Sequence, residues 1–84
     1  MRITSASTLA NFMKDQRQQQ GLSQARAADS VGLRQTTISA FENHPDGTRL
    51  ETLFKLLAAL ELSITITPRK PKKESETAGN HEPW

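Results

Sequence analysis

QARAADSVGLRQTTISAFEN, Gln24 to Asn43, decides the fold of this 84-residue chain. Its apolar positions fall at Ala27, Val31, Leu33, Ile38 and Phe41, with small Ala28 where two helices would cross and Gly32 where the backbone must turn sharply. Helical spacing runs up to Gly32 and resumes after it, which is the pattern of a helix-turn-helix. On the second segment Arg34, Gln35, Thr36 and Ser39 lie between the apolar positions and project away from the core. That polar face is chemically suited to reading base edges.

The flanks complete a small helical domain. Upstream, Ser5 or Ser7 can cap a first helix that runs to about Gln19 and is ended by Gly21, with Leu9, Phe12 and Met13 as its apolar stripe. Gln16 to Gln20 (QRQQQ) is too short for a polyglutamine tract. Ser23 is a good N-cap for the second helix, Gln24 to about Ser30, and the third follows at about Arg34 to Asn43. Asn43 to Gly47 (NHPDG) is dense in turn formers. In TRLE, Thr48 and Glu51 read as a capping box that opens a fourth helix. Leu50, Leu53, Phe54, Leu57 and Leu60 form its stripe, broadened by Leu56, so this helix should close the core, with some of that width available to a second subunit.

Leu62 to Thr67 (LSITIT) switches to a period of two, with Leu62, Ile64 and Ile66 on one face. A lone strand with open edges is unstable in water, and nothing else in the chain resembles a second one. The expected partner is the same strand of another copy, giving a two-fold dimer with a two-stranded antiparallel ribbon; an extended tail or a helix end packed on its own domain is the alternative. From Pro68 onward come three of the four prolines, a basic run (RKPKK) and a polar, acidic stretch. Such composition cannot offset its ordering entropy, which predicts a domain at 1–67 and a disordered tail at 68–84.

Composition sets bounds on function. The formal charge of +2 divides evenly, seven Lys/Arg against six Asp/Glu in residues 1–67 and four against three in 68–84, so any field attracting DNA must be local. A chain this short buries a modest share of its surface, which favours oligomerisation, and with no cysteine no disulfide can substitute for it. There is no run long enough for a signal peptide or membrane span, and the expectation is a soluble cytoplasmic protein. His44 and His81 are far apart with no ligand spacing around them, so neither metal nor cofactor is expected. Without a nucleophile motif or glycine-rich phosphate loop, the chain does not read as an enzyme.

Gly21–Gln24 (GLSQ), Ala28, Gly32 and Thr37–Glu42 (TISAFE) carry a resemblance, over residues 5–67, to the phage-repressor-like (Cro/C1, XRE-type) helix-turn-helix family. Arg34–Asn43 (RQTTISAFEN), the LSITIT segment after a leucine-rich helix, and a polar tail ending in Trp84 resemble the antitoxins of bacterial type II toxin–antitoxin pairs whose toxin is a HipA-like serine/threonine kinase. The first resemblance implies a lambda-repressor-like, all-α domain of four to five helices plus the C-terminal strand. It implies that Gln24 contacts a phosphate and braces Gln35, and that Arg17 and Glu42 form a buried ion pair; by physics alone those two charges can equally be solvated. Ala27 and Gln16 replace leucines usual in the family, and Arg34 stands where Ser or Thr often caps the third helix.

In this motif the third helix enters the major groove, and a dimer sets two of them about one turn, roughly 34 Å, apart, so the operator should be a palindrome. Arg34 suits guanine and Gln35 adenine, Thr36 a thymine methyl, and Ser39 either a base or a phosphate. Ser23, Gln24, Arg26 and Arg49 are the expected phosphate contacts. Arg69, Lys70, Lys72 and Lys73 either add a nonspecific DNA contact or are merely solvated. The antitoxin resemblance implies that Trp84 docks into the kinase toxin as an aromatic anchor; otherwise it is an exposed terminal residue. The expected function is thus an antitoxin and autorepressor that neutralises its toxin. A free-standing phage-type repressor, or an interaction module that no longer binds DNA, are the alternatives.

Overall fold

A computed structural model of the chain describes residues 2–69. Trp84, Lys70, Lys72 and Lys73 lie outside the described residues, as does most of the expected tail. Four α-helices follow one another: α1 (Ala6–Gln19), α2 (Gln24–Ser30), α3 (Gln35–Asn43) and α4 (Leu50–Ala59), with a 3-10 turn at Pro45–Gly47 between the last two.

Caps explain where these helices begin and end. The Ser5 hydroxyl accepts from the Thr8 N–H at 3.0 Å and that of Ser23 from the Arg26 N–H at 3.0 Å, satisfying donors that the first turns of α1 and α2 leave free. Three helices end alike. After α1, Gly21 turns left-handed (φ 72°), its N–H bonds to the Gln18 carbonyl, and the Leu22 N–H reaches back to Arg17. After α2 the same pair runs from Gly32 (φ 72°) to Asp29 and from Leu33 to Ala28. After α4 it runs from Glu61 to Ala58 and from Leu62 to Leu57, but here a side chain occupies the left-handed position, at φ 57°. This is the Schellman end, which usually takes glycine because a Cβ there crowds the backbone.

Ala10 and Met13 of α1, Ala27 and Ala28 of α2, Ile38 and Phe41 of α3 and Leu56, Leu57 and Leu60 at the end of α4 form one buried cluster. Burying Ile38 and Phe41 contributes roughly 1.5–3 kcal/mol each. The small side chains of Ala27 and Ala28 let α2 lie close against α3. A small hollow of about 10 Å³ lies beside Ala27, Met13, Ile38 and Phe41.

Three expectations need correction. The buried line of α1 is Ala10, Met13 and Arg17, with Leu9 and Phe12 only half-covered on its flank. No capping box opens α4: the Thr48 N–H closes the 3-10 turn on Pro45 at 3.0 Å, so Arg49 becomes the N-cap, without a side-chain bond. Glu51 then falls one position too early for the reciprocal bond and lies 3.9 Å from exposed Lys55, a pairing of little worth. Finally, Leu50 and Phe54 do not join the core; they are 70% and 56% exposed.

Among the described residues Leu62–Thr67 pairs with no other segment, and no strand occurs. Leu62 packs half-buried on its own core, whereas Ile64 and Ile66 are exposed, Ile66 at 89%. The segment borders a groove of about 670 Å³ whose other wall is Ile3, Leu9, Phe12 and Leu57.

Candidate nucleic-acid interface

Burial of Ile38 and Phe41 fixes the rotation of α3 and therefore decides what it shows to solvent. Arg34, Gln35 and Thr36 are exposed at its start, and Ser39 is half-exposed one turn on, so the four side chains expected on the outward face share it. Two more residues belong to that face. Ala40 and Asn43 are exposed beside Ser39, and the Asn43 amide donates to the Ser39 carbonyl at 2.9 Å and to its hydroxyl at 3.3 Å. That bond leaves the Ser39 O–H proton free to donate outward. Neither residue announces this role in the sequence, since Ala40 is apolar and Asn43 has the chemistry of a turn former.

Arg34 is the N-cap of α3 and caps nothing with its side chain. Its guanidinium is therefore available at the tip of the helix, as a bidentate donor of the kind guanine O6 and N7 accept. Of the residues expected to meet phosphates, Gln24 bonds to Gln35 at this tip. Ser23 spends its hydroxyl as acceptor in the α2 cap, so that only its O–H donor remains for an anion. Arg26 and Arg49 are exposed. Arg49 shares with Thr36, Ala40, His44 and Thr48 a cleft of about 410 Å³ between α3 and the start of α4.

Behind α3 a chain of polar bonds runs from the core to the surface. Arg17 Nε lies 2.7 Å from one carboxylate oxygen of Glu42 and its Nη2 lies 3.1 Å from the other, while its Nη1 donates to the Leu22 carbonyl at 2.7 Å. The two side chains are 10% and 4% exposed, so this is a buried pair with its donors satisfied, as the resemblance implied. Gln24 donates its amide to Glu42 at 2.9 Å, and Gln35 donates its amide to the Gln24 oxygen. The bracing of Gln35 by Gln24 is thus present; the link from Gln24 to Glu42, between residues 18 apart, has no local signal in the sequence.

The chain matches the helix-turn-helix family over residues 13–66. The antitoxin HipB of Escherichia coli (strain K12) is 45% identical over 83 residues, spanning 99% of this chain and 94% of that protein. The HTH-type transcriptional regulator PuuR of the same strain is 43% identical over 60 residues, but these make up only 32% of its length. Among solved structures, the HipA-HipB-O2-O3 complex superposes with a TM-score of 0.82 at 50% identity, covering 83% of this chain and 99% of the matched one. The HipB-O4 20mer complex superposes with a TM-score of 0.81, also at 50% identity, with the same coverage.

Proposed function

Since the chain belongs to the helix-turn-helix family and to its HipB antitoxin branch, we propose that it is an antitoxin that also represses transcription from its own operator. The observation that carries this reading is the uncapped, exposed start of α3, with Arg34, Gln35 and Thr36 presented together on a helix whose opposite side is locked into the core. HipB itself has been solved in the HipA-HipB-O2-O3 complex and in the HipB-O4 20mer complex, and similarity of this degree over the whole domain supports a HipA-like toxin and operator DNA as the two partners here.

On DNA, Arg34 takes guanine, Gln35 adenine, Thr36 a thymine methyl and Ser39 a base or phosphate, while Ser23, Gln24, Arg26 and Arg49 hold the backbone on either side. Two copies bind a palindrome. Their contact is the Leu62–Thr67 segment, with Ile64 and Ile66 passing from water into the shared ribbon; these are among the most exposed apolar side chains of the described residues. The tail beyond Pro68 is a separate segment whose Trp84 anchors a HipA-like kinase toxin, and the catalytic chemistry of the pair belongs to that toxin. No helix among the described residues is long and apolar enough to cross a membrane; the working place of the protein is the cytoplasm, on the nucleoid when operator-bound.

Footprinting on the chain's own promoter tests the DNA role, with a two-fold symmetric protected site expected and its absence refuting the reading. Deleting Pro83 and Trp84 tests the tail: toxin binding should weaken while operator affinity holds, and undiminished toxin binding removes Trp84 from the interface.

A further inference from the structure

We propose that the buried Arg17–Glu42 pair fixes the polarity with which the Gln35 amide meets DNA, making Glu42 a specificity-determining positioning residue although it touches no base; this rests on the DNA-reading role proposed above. An ionised carboxylate can only accept hydrogen bonds, so the Gln24 atom 2.9 Å from Glu42 is its amide nitrogen, and the Gln24 oxygen must face the other way. That oxygen, in turn, can only accept, and it takes an N–H of Gln35. Gln35 therefore spends one donor inward and keeps one N–H and its Oε1 for the groove.

One donor beside one acceptor matches the N7 and N6 amino group of adenine, whereas guanine offers two acceptors, N7 and O6, at the same place. A Gln35 amide free to turn over could offer both its N–H groups and tolerate guanine. The charge on Glu42 forbids this from two residues away. Arg17 keeps that charge in place by occupying both carboxylate oxygens and anchoring itself on the Leu22 carbonyl. Gln24 retains one amide proton, which remains available for a phosphate.

The experiment measures binding of the full chain to its operator and to every single base-pair substitution of it. A Gln35→Ala variant first identifies the base pair read by residue 35, as the one whose substitution no longer matters. Glu42→Gln then keeps the shape but can donate as well as accept, and Arg17→Met/Glu42→Leu replaces the pair with apolar groups. Each should reduce the adenine-over-guanine preference at that base pair roughly tenfold, with discrimination at the Arg34 base pair and affinity for random duplex unchanged. Unchanged discrimination in a folded variant overturns the proposal, as does an equal loss at every base pair, which makes Glu42 a structural residue only. Failure of the unaltered chain to bind its operator overturns the functional reading instead. Should neither variant fold, hydrogen exchange of side-chain amides in the unaltered chain decides: Gln24 and Gln35 should exchange several-fold more slowly than exposed Gln18, and equal rates refute the relay.

Discussion

Exchanging side chains at the three left-handed helix ends isolates the free energy of one backbone conformation. Gly32 and Glu61 sit in the same hydrogen-bonded turn, at φ 72° and 57°. A Cβ built on Gly32 meets nothing within 4 Å, so Gly32→Ala adds no clash with neighbouring atoms and any loss comes from the backbone alone. The left-handed conformation costs an L-residue roughly 1–2 kcal/mol, and the lower unfolded-state entropy of alanine returns about 0.4–1 kcal/mol. The net expectation is a destabilisation of about 1 kcal/mol. Glu61→Gly runs the same cycle backward on an exposed side chain and should stabilise by a similar amount. For a domain of this size that is a fall and a rise in Tm of about 4–8 °C. Thermal unfolding at one fixed protein concentration reads both, because self-association shifts Tm by mass action. If the two shifts share a sign, or if Gly32→Ala leaves Tm unmoved, the account of these turns is wrong.

Three further outcomes follow from contacts described above. Arg34→Ala should weaken cognate operator binding by about 1–3 kcal/mol and random duplex by less; equal losses in a gel shift would deny Arg34 a part in readout. Arg17→Met alone should cost about 3–5 kcal/mol in urea unfolding because it strands a buried carboxylate, and adding Glu42→Leu should recover most of it; a double variant no more stable than the single one contradicts the picture of a satisfied pair. Ser23→Ala, which removes the α2 cap, should lower stability by about 1 kcal/mol, and a neutral result by differential scanning calorimetry would show that water substitutes for the hydroxyl.

Local chemistry made much of this fold legible. Ser5 and Ser23 act within three residues of themselves, and Gly21 and Gly32 act on the turns they occupy, so each can be read from its own neighbourhood. The outward face of α3 followed from the same logic, since two buried side chains suffice to orient a helix of nine residues. What escaped depended on competition or on distance. Thr48 had two uses for its backbone, and the 3-10 turn took it. α4 carries leucine or phenylalanine at five of its ten positions, and a stripe that wide does not say which edge is left in water: here it is the edge with Leu50 and Phe54. Family resemblance anticipated the Arg17–Glu42 pair, but the Gln24–Glu42 bond joins residues that only the packed α2 and α3 bring together.

Leu50, Phe54, Ile64 and Ile66 are large apolar side chains that a single copy leaves 70%, 56%, 42% and 89% open to water. Under the proposed two-fold assembly, pairing covers part of that surface, so folding reserve rises with protein concentration. The proposed autoregulation would then carry a concentration dependence set by mass action. On the proposed reading, dilution separates the copies, so folding reserve and hold on a two-part operator fall together.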